Sequence, residues 1–176
     1  MQTYKLAFYI LLMIVAGSTF AIQGAAVPPP LRDLALHDAA CVDAADSPGG
    51  DAASLAAQPI RVGGHELGTI VTVHGGCHCQ GANCDALVYL HKVEQYKLAL
   101  HEKYASLHPM KIVKRGMPSL TGQFEIGTAK METTVYDWDG KDYRPSLCAT
   151  VTRNGRVPTI ARHPCRAAAQ IDDRAR

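Results

Sequence analysis

The chain has 176 residues, 18 Lys and Arg against 16 Asp and Glu, a formal net charge of +2 and no long run of either sign. A nucleic-acid or anionic-membrane surface normally shows a basic patch or stripe, so this near balance argues against both partners. The length suits one domain with a modest core, and an even count of six cysteines favours disulfides in an oxidising compartment.

The first stretch sets the expected address. Lys5, an apolar run over 6–15 and then Ala16-Gly17-Ser18-Thr19-Phe20-Ala21 form the three-part layout of a secretory signal peptide, cut after Ala21, with a second possible cut after Ala26. The run is shorter than the roughly 20 residues of an ordinary membrane-spanning helix, and no later segment is apolar enough to replace it. No cysteine lies just after the cut, as a bacterial lipoprotein would require. Residues 1–21 are therefore expected to be removed, leaving a mature chain without a transmembrane anchor in the periplasm or outside the cell.

Next, Val27-Pro28-Pro29-Pro30 reads as an extended lead-in whose prolines suit the start of a helix. Leu31, Leu34, Cys41 and Val42 recur near helical spacing and predict one helix over 31–46. Ser47-Pro48-Gly49-Gly50 stops it, and the Ala-rich 51–58 reads as a linker or a short second helical turn. After Gly63-Gly64 the period becomes two or continuously apolar, predicting strands at 67–73, 86–90, 96–100, 110–113, 120–126, 133–138 and 147–151. Asp139-Gly140 is the clearest hairpin signal, because Asp and Gly tolerate the positive φ of a tight turn. Residues 92–95 separate two more strands. The fold class is mainly β within α+β: an antiparallel meander of about six or seven short strands, preceded by one N-terminal helix and stabilised by disulfides. The division is 22–62 for the lead-in, helix and linker, 63–165 for the β domain and 166–176 for a fraying tail.

Cys41, Cys77, Cys79, Cys84, Cys148 and Cys165 all lie in the mature chain. Six thiols allow 15 pairings. A Cys77 to Cys79 bridge would close a very small ring, whereas Gly81 and Asn83 give the segment between Cys79 and Cys84 the freedom of a turn. Cys79 with Cys84 is the best single pair.

Chemistry has one place to concentrate, the stretch 74–84. His74, Cys77, His78 and Cys79 could offer nitrogen and sulfur to zinc or copper, but paired Cys-x-x-Cys knuckles are absent and a disulfide loop with solvent-facing histidines is the plainer reading. The missing Cys-x-x-Cys also argues against a thiol oxidoreductase. Ser54, Ser106, Ser119 and Ser146 lie in no nucleophile-elbow context. Asp137, Asp139 and Asp142 lack the order of a calcium loop and read as a solvated hairpin; Glu125 and Glu132 are assigned to solvent. Tyr136, Trp138 and Tyr143 sit on the last hairpin, with Tyr136 and Trp138 on one face. Facing outward they make a weak binding platform for a glycan or protein; facing inward they are core.

The order Cys79, Asn83-Cys84, Val88-Tyr89-Leu90, Tyr96-Lys97-Leu98, then Tyr136-Asp137-Trp138-Asp139-Gly140 with Tyr143-Arg144-Pro145 and Cys148 resembles a loose group of small secreted proteobacterial proteins of unknown function. The resemblance covers roughly 76–148, rests on strand and turn pattern, and implies a fold more than a role; Cys77, His78 and Cys165 have no place in it. Periplasmic lysozyme inhibitors share size, export and disulfide-bonded β-structure by analogy. The expected function is a non-catalytic exported protein that binds a macromolecule, another envelope or extracellular protein or a glycan, without a cofactor. The alternative is a small zinc- or copper-handling protein using the 74–84 loop.

Overall fold

The computed structural model describes residues 26–39, 53–93, 95–153 and 158–165. The expected signal peptide, Cys41, Val42 and the 166–176 tail lie outside these residues.

Helix α1 spans Pro29–Asp38. Proline fits its first positions, where the missing N–H has no intrahelical partner to lose. Leu31, Ala35 and Ala39 follow the i, i+4, i+8 spacing of one stripe, and all three are buried.

The first sheet is antiparallel and holds β1 Ser54–Val62, β2 His65–His74, the short β3 Cys79–Gln80, β4 Asn83–Lys92 and β5 Gln95–Tyr104. Gly63 and Gly64, both at positive φ, make the two-residue turn between β1 and β2. β4 lies between β2 and β5; β3 pairs its first two residues before Val73 of β2 takes over opposite Asp85. The continuous apolar run of β4 is buried on both faces. Ala86, Val88 and Leu90 face the core between the sheets. Leu87 and Tyr89 face the other way and, with Val71 and Val73, meet the stripe of α1. Tyr89 is fully buried, and its hydroxyl donates to Asp38 Oδ2 at 2.8 Å, tying the end of the helix to the middle of the sheet.

The second sheet follows chain order, β6 Ser106–Lys114, β7 Met117–Ile126, β8 Lys130–Trp138, β9 Tyr143–Thr152 and β10 Thr159–His163, again antiparallel. Ala105 alone separates β5 from β6 and donates its N–H to Gln123 O at 2.8 Å. Leu107, Met117, Leu120, Tyr136 and Tyr143 close the core over Ile60, Ile70 and Leu100 of the first sheet. The Tyr104 ring lies against Gly122, where an added Cβ would sit 2.6 Å from Cζ; only glycine leaves that space. The layers run helix, sheet, sheet.

The mainly β architecture, the one α-helix among the described residues and the disulfides agree with the sequence reading, with three corrections. The strands form two packed sheets, because both faces of β4 need cover. Ser54–Val62 is a strand, not a linker or helical turn: its alanines match helical preference, but pairing along the whole of β2 outweighs that weak preference. Thr159–His163 is a further strand paired to β9.

Leu31→Ala removes the largest apolar group that α1 buries and is expected to cost about 2–4 kcal/mol. The check is a urea transition whose midpoint falls with its slope unchanged.

Candidate functional site at the cysteine end of the first sheet

Gly75 and Gly76 adopt positive φ where the chain leaves β2, and a single 3-10 turn, Gly76–His78, leads into β3. Cys79 and Cys84 stand directly opposite across the Gly81-Ala82 turn, Cα atoms 3.9 Å apart, and are disulfide-bonded. Cys148 on β9 is bonded to Cys165 just beyond β10. Cys77 is disulfide-bonded as well, and none of the described cysteines is a free thiol. A ring nitrogen of His74, at the end of β2, lies within 4.8 Å of both Cys79 Sγ and Cys84 Sγ.

The four residues expected as metal ligands are not brought together as one set. His74 stays with Cys79 and Cys84, and His78 belongs to a separate cluster. There, Asp85 on β4 is almost completely buried, accepts from His78 Nδ1 and His101 Nε2, each at 3.2 Å, and is ion-paired with Lys103 Nζ at 3.1 Å. Lys103 also donates to His78 O at 2.8 Å and Cys77 O at 3.4 Å, so β5 holds the 3-10 turn in place. A buried carboxylate is tolerated because two hydrogen bonds and one ion pair compensate its lost hydration. The sequence reading missed this cluster, although period-two spacing carries its signal: an acid opens the apolar run of β4, and the facing strand repeats His101 and Lys103 at i, i+2.

On the inner face a cleft of about 300 Å³ opens beside the β5 to β6 junction, lined by Ala56, Thr72, His74, Ala86, Ser106 and His108 among others. Tyr104 reaches the same place, its hydroxyl hydrogen-bonded to that of Tyr136. Burial pushes both phenols above their ordinary range. Glu102 is also raised by burial, partly offset by the neighbouring His101. Glu132, expected in solvent, is only one-third exposed and lies 3.9 Å from His163 Nε2, which also contacts Thr150 Oγ1 at 3.3 Å. This end of the core is polar because the facing strands alternate Thr134, Thr150 and His163 with residues on the outer surface.

Of the two orientations open for the aromatic side chains of the last hairpin, the inward one is found. Tyr136 and Tyr143 are buried, the Tyr143 hydroxyl donates to Pro118 O at 3.0 Å, and Trp138 packs edge-on to Tyr143 at 5.3 Å between ring centroids. With few large aromatics in the chain, the core claims them. Asp139 Oδ1 accepts the N–H groups of Lys141 at 2.7 Å and Asp142 at 2.8 Å, closing the hairpin. Those backbone donors lower its pKa to about 2.

No family model, curated protein or solved structure matches this chain.

Two outcomes follow from the site. Asp85→Ala leaves two imidazole donors and an ammonium without their carboxylate and is expected to cost about 2–3 kcal/mol in chemical denaturation. The raised pKa of Glu102 means the folded state binds its proton more tightly than the unfolded state, so its ionised form weakens the fold above the folded pKa. Glu102→Gln should therefore melt higher than the parent near neutral pH, the gap closing as pH falls toward the ordinary carboxylate range; melting curves across that range check the sign.

Proposed function

We propose that this chain is an exported, non-catalytic binding module that engages another envelope or extracellular protein through the outer face of its second sheet. The carrying observation is an asymmetry between the sheets. The outer face of the first is covered by α1, the one helix among the described residues. On the outer face of the second, Val135 pairs with Leu147, and Met131, Val151 and Ile160 form a continuous row across β8, β9 and β10. Leu147 is 37% exposed and Ile160 67% exposed.

Alternation on β8 and β9 turns Tyr136 and Cys148 into the core and leaves these aliphatic neighbours outside. The two apolar groups flank the Thr133–Ala149–Arg162 row, with Arg153 beyond Val151, and this mixture of exposed aliphatic side chains and flanking cations fits a protein interface. A protein suits it better than a glycan: sugars stack on aromatic rings, and here Tyr136 and Tyr143 are buried while the half-buried Trp138 packs on Tyr143. The paired cysteines, and the absence of any helix among the described residues long and apolar enough to cross a membrane, are compatible with a periplasmic or extracellular address. The signal-peptide reading and the likeness to small secreted proteins point the same way.

The test places a photo-crosslinking amino acid at Ile160 and, as a control, at Arg61 on the first sheet, in cells exporting the full chain. A discrete adduct from the Ile160 position with an envelope or extracellular protein, reduced about tenfold by Leu147→Glu, is expected. Leu147→Glu should change stability by no more than about 0.5 kcal/mol, as is usual for a surface position. Equal labelling from both positions, or none from Ile160, rejects the reading.

A further inference from the structure

We infer that His74, Cys79 and Cys84 form a redox-gated copper(I) site, closed while the disulfide is intact and opened by a dithiol reductant. This goes beyond the protein-binding reading and uses a different face of the molecule. Its basis is one juxtaposition: an imidazole nitrogen and two sulfurs, each within 4.8 Å of the others, at the meeting of β2, β3 and β4.

The three donors are set by backbone pairing that does not depend on the sulfur–sulfur bond. Cys79 and Cys84 occupy opposite positions of the β3 to β4 hairpin, with Gln80 paired to Asn83 next to them. Asn83 is buried and is clamped to the second sheet: its Nδ2 donates to Glu125 O at 2.9 Å and its Oδ1 accepts from Glu125 N at 2.7 Å. Lys103 holds the preceding turn through its bonds to Cys77 O and His78 O. Breaking the disulfide therefore leaves two thiols side by side, with His74 beside them.

The donor set selects the ion. Two thiolates and one imidazole are soft and borderline ligands, which suit copper(I) and zinc. Zinc asks for four ligands in a structural site, whereas copper(I) accepts three. Cys84 is buried, Cys79 is half-buried and His74 is exposed at the rim of the inner cleft, so the ion would have one protected side and one route to solvent. His78 is not a ligand here, because its ring is held by Asp85.

The dithiol transfers two electrons and two protons to the Cys79–Cys84 bond, giving two cysteine thiols and the reductant's own cyclic disulfide. Copper(I) then displaces both thiol protons to solvent and accepts the lone pair of a His74 ring nitrogen.

The experiment titrates the full mature chain anaerobically with copper(I) held by a coloured chelator, before and after reduction with a dithiol that is then removed. Because the dithiol also opens the bridges at Cys77 and Cys148–Cys165, the copper is counted in a chain carrying Cys41→Ala, Cys77→Ala, Cys148→Ala and Cys165→Ala, where the expected result is withdrawal of one copper(I) per reduced chain and none per oxidised chain, with X-ray absorption showing two sulfurs and one nitrogen around the metal. His74→Ala, at an exposed position that leaves every disulfide in place, should weaken binding by at least about tenfold and remove the nitrogen signal. Cys84→Ser should abolish binding, and His78→Ala should leave it unchanged. Binding by the oxidised chain, undiminished binding by His74→Ala, no binding by the reduced chain, or collapse of the β-sheet circular dichroism on reduction would each overturn the inference.

Discussion

The fold depends on one strand being buried on both sides. In β4 alternate residues serve two masters: Ala86, Val88 and Leu90 fill the space between the sheets, while Leu87 and Tyr89 receive the helix. A slip of one residue would exchange the two sets. It would push Asp85 into the apolar core, strip His78, His101 and Lys103 of their carboxylate, and carry the Tyr89 hydroxyl away from Asp38. Register is therefore held by polar contacts at both ends of an apolar strand, and the polar contacts exist only in that register.

The same strand explains why the cysteine end is orderly. Asn83 begins β4 and joins it to the end of β7 by two hydrogen bonds to one residue, Glu125, much as one strand pairs with another. Asp85 two residues later fixes the turn through His78 and Lys103. The Cys79–Cys84 bridge sits between these two anchors. Cys148–Cys165 holds the chain beyond β10 to the middle of β9, at the far edge of the second sheet.

Sequence reasoning reached the features governed by local chemistry and missed those governed by distant pairing. The Asp139-Gly140 hairpin and the Cys79–Cys84 pair follow from turn residues a few positions apart, and both are present. The strand at Ser54–Val62 was hidden because alanine favours helix in isolation; only its alignment with β2 makes it extended. The Asp85 cluster was half visible, since alternation of His101 and Lys103 is a sequence property but their placement beside Asp85 is a matter of strand order. The aromatic side chains of the last hairpin show the limit most directly. Period two says that Tyr136 and Trp138 share a face, and only the second layer of the sandwich says which face is buried.

The junction at Ala105 divides the molecule cleanly: every strand of the first sheet precedes it and every strand of the second follows it. A chain emerging from N- to C-terminus can thus complete the helix-covered sheet while its other face, with Ile60, Ile70, Val88 and Leu100, still has no lid. Until β6 to β9 arrive, that half-protein is a sheet with one dry face and one sticky one. Its safe passage depends on how quickly the second half is delivered, or on a chaperone that shields the first, and any stall between the two halves is the moment of greatest exposure to proteases and to its own copies.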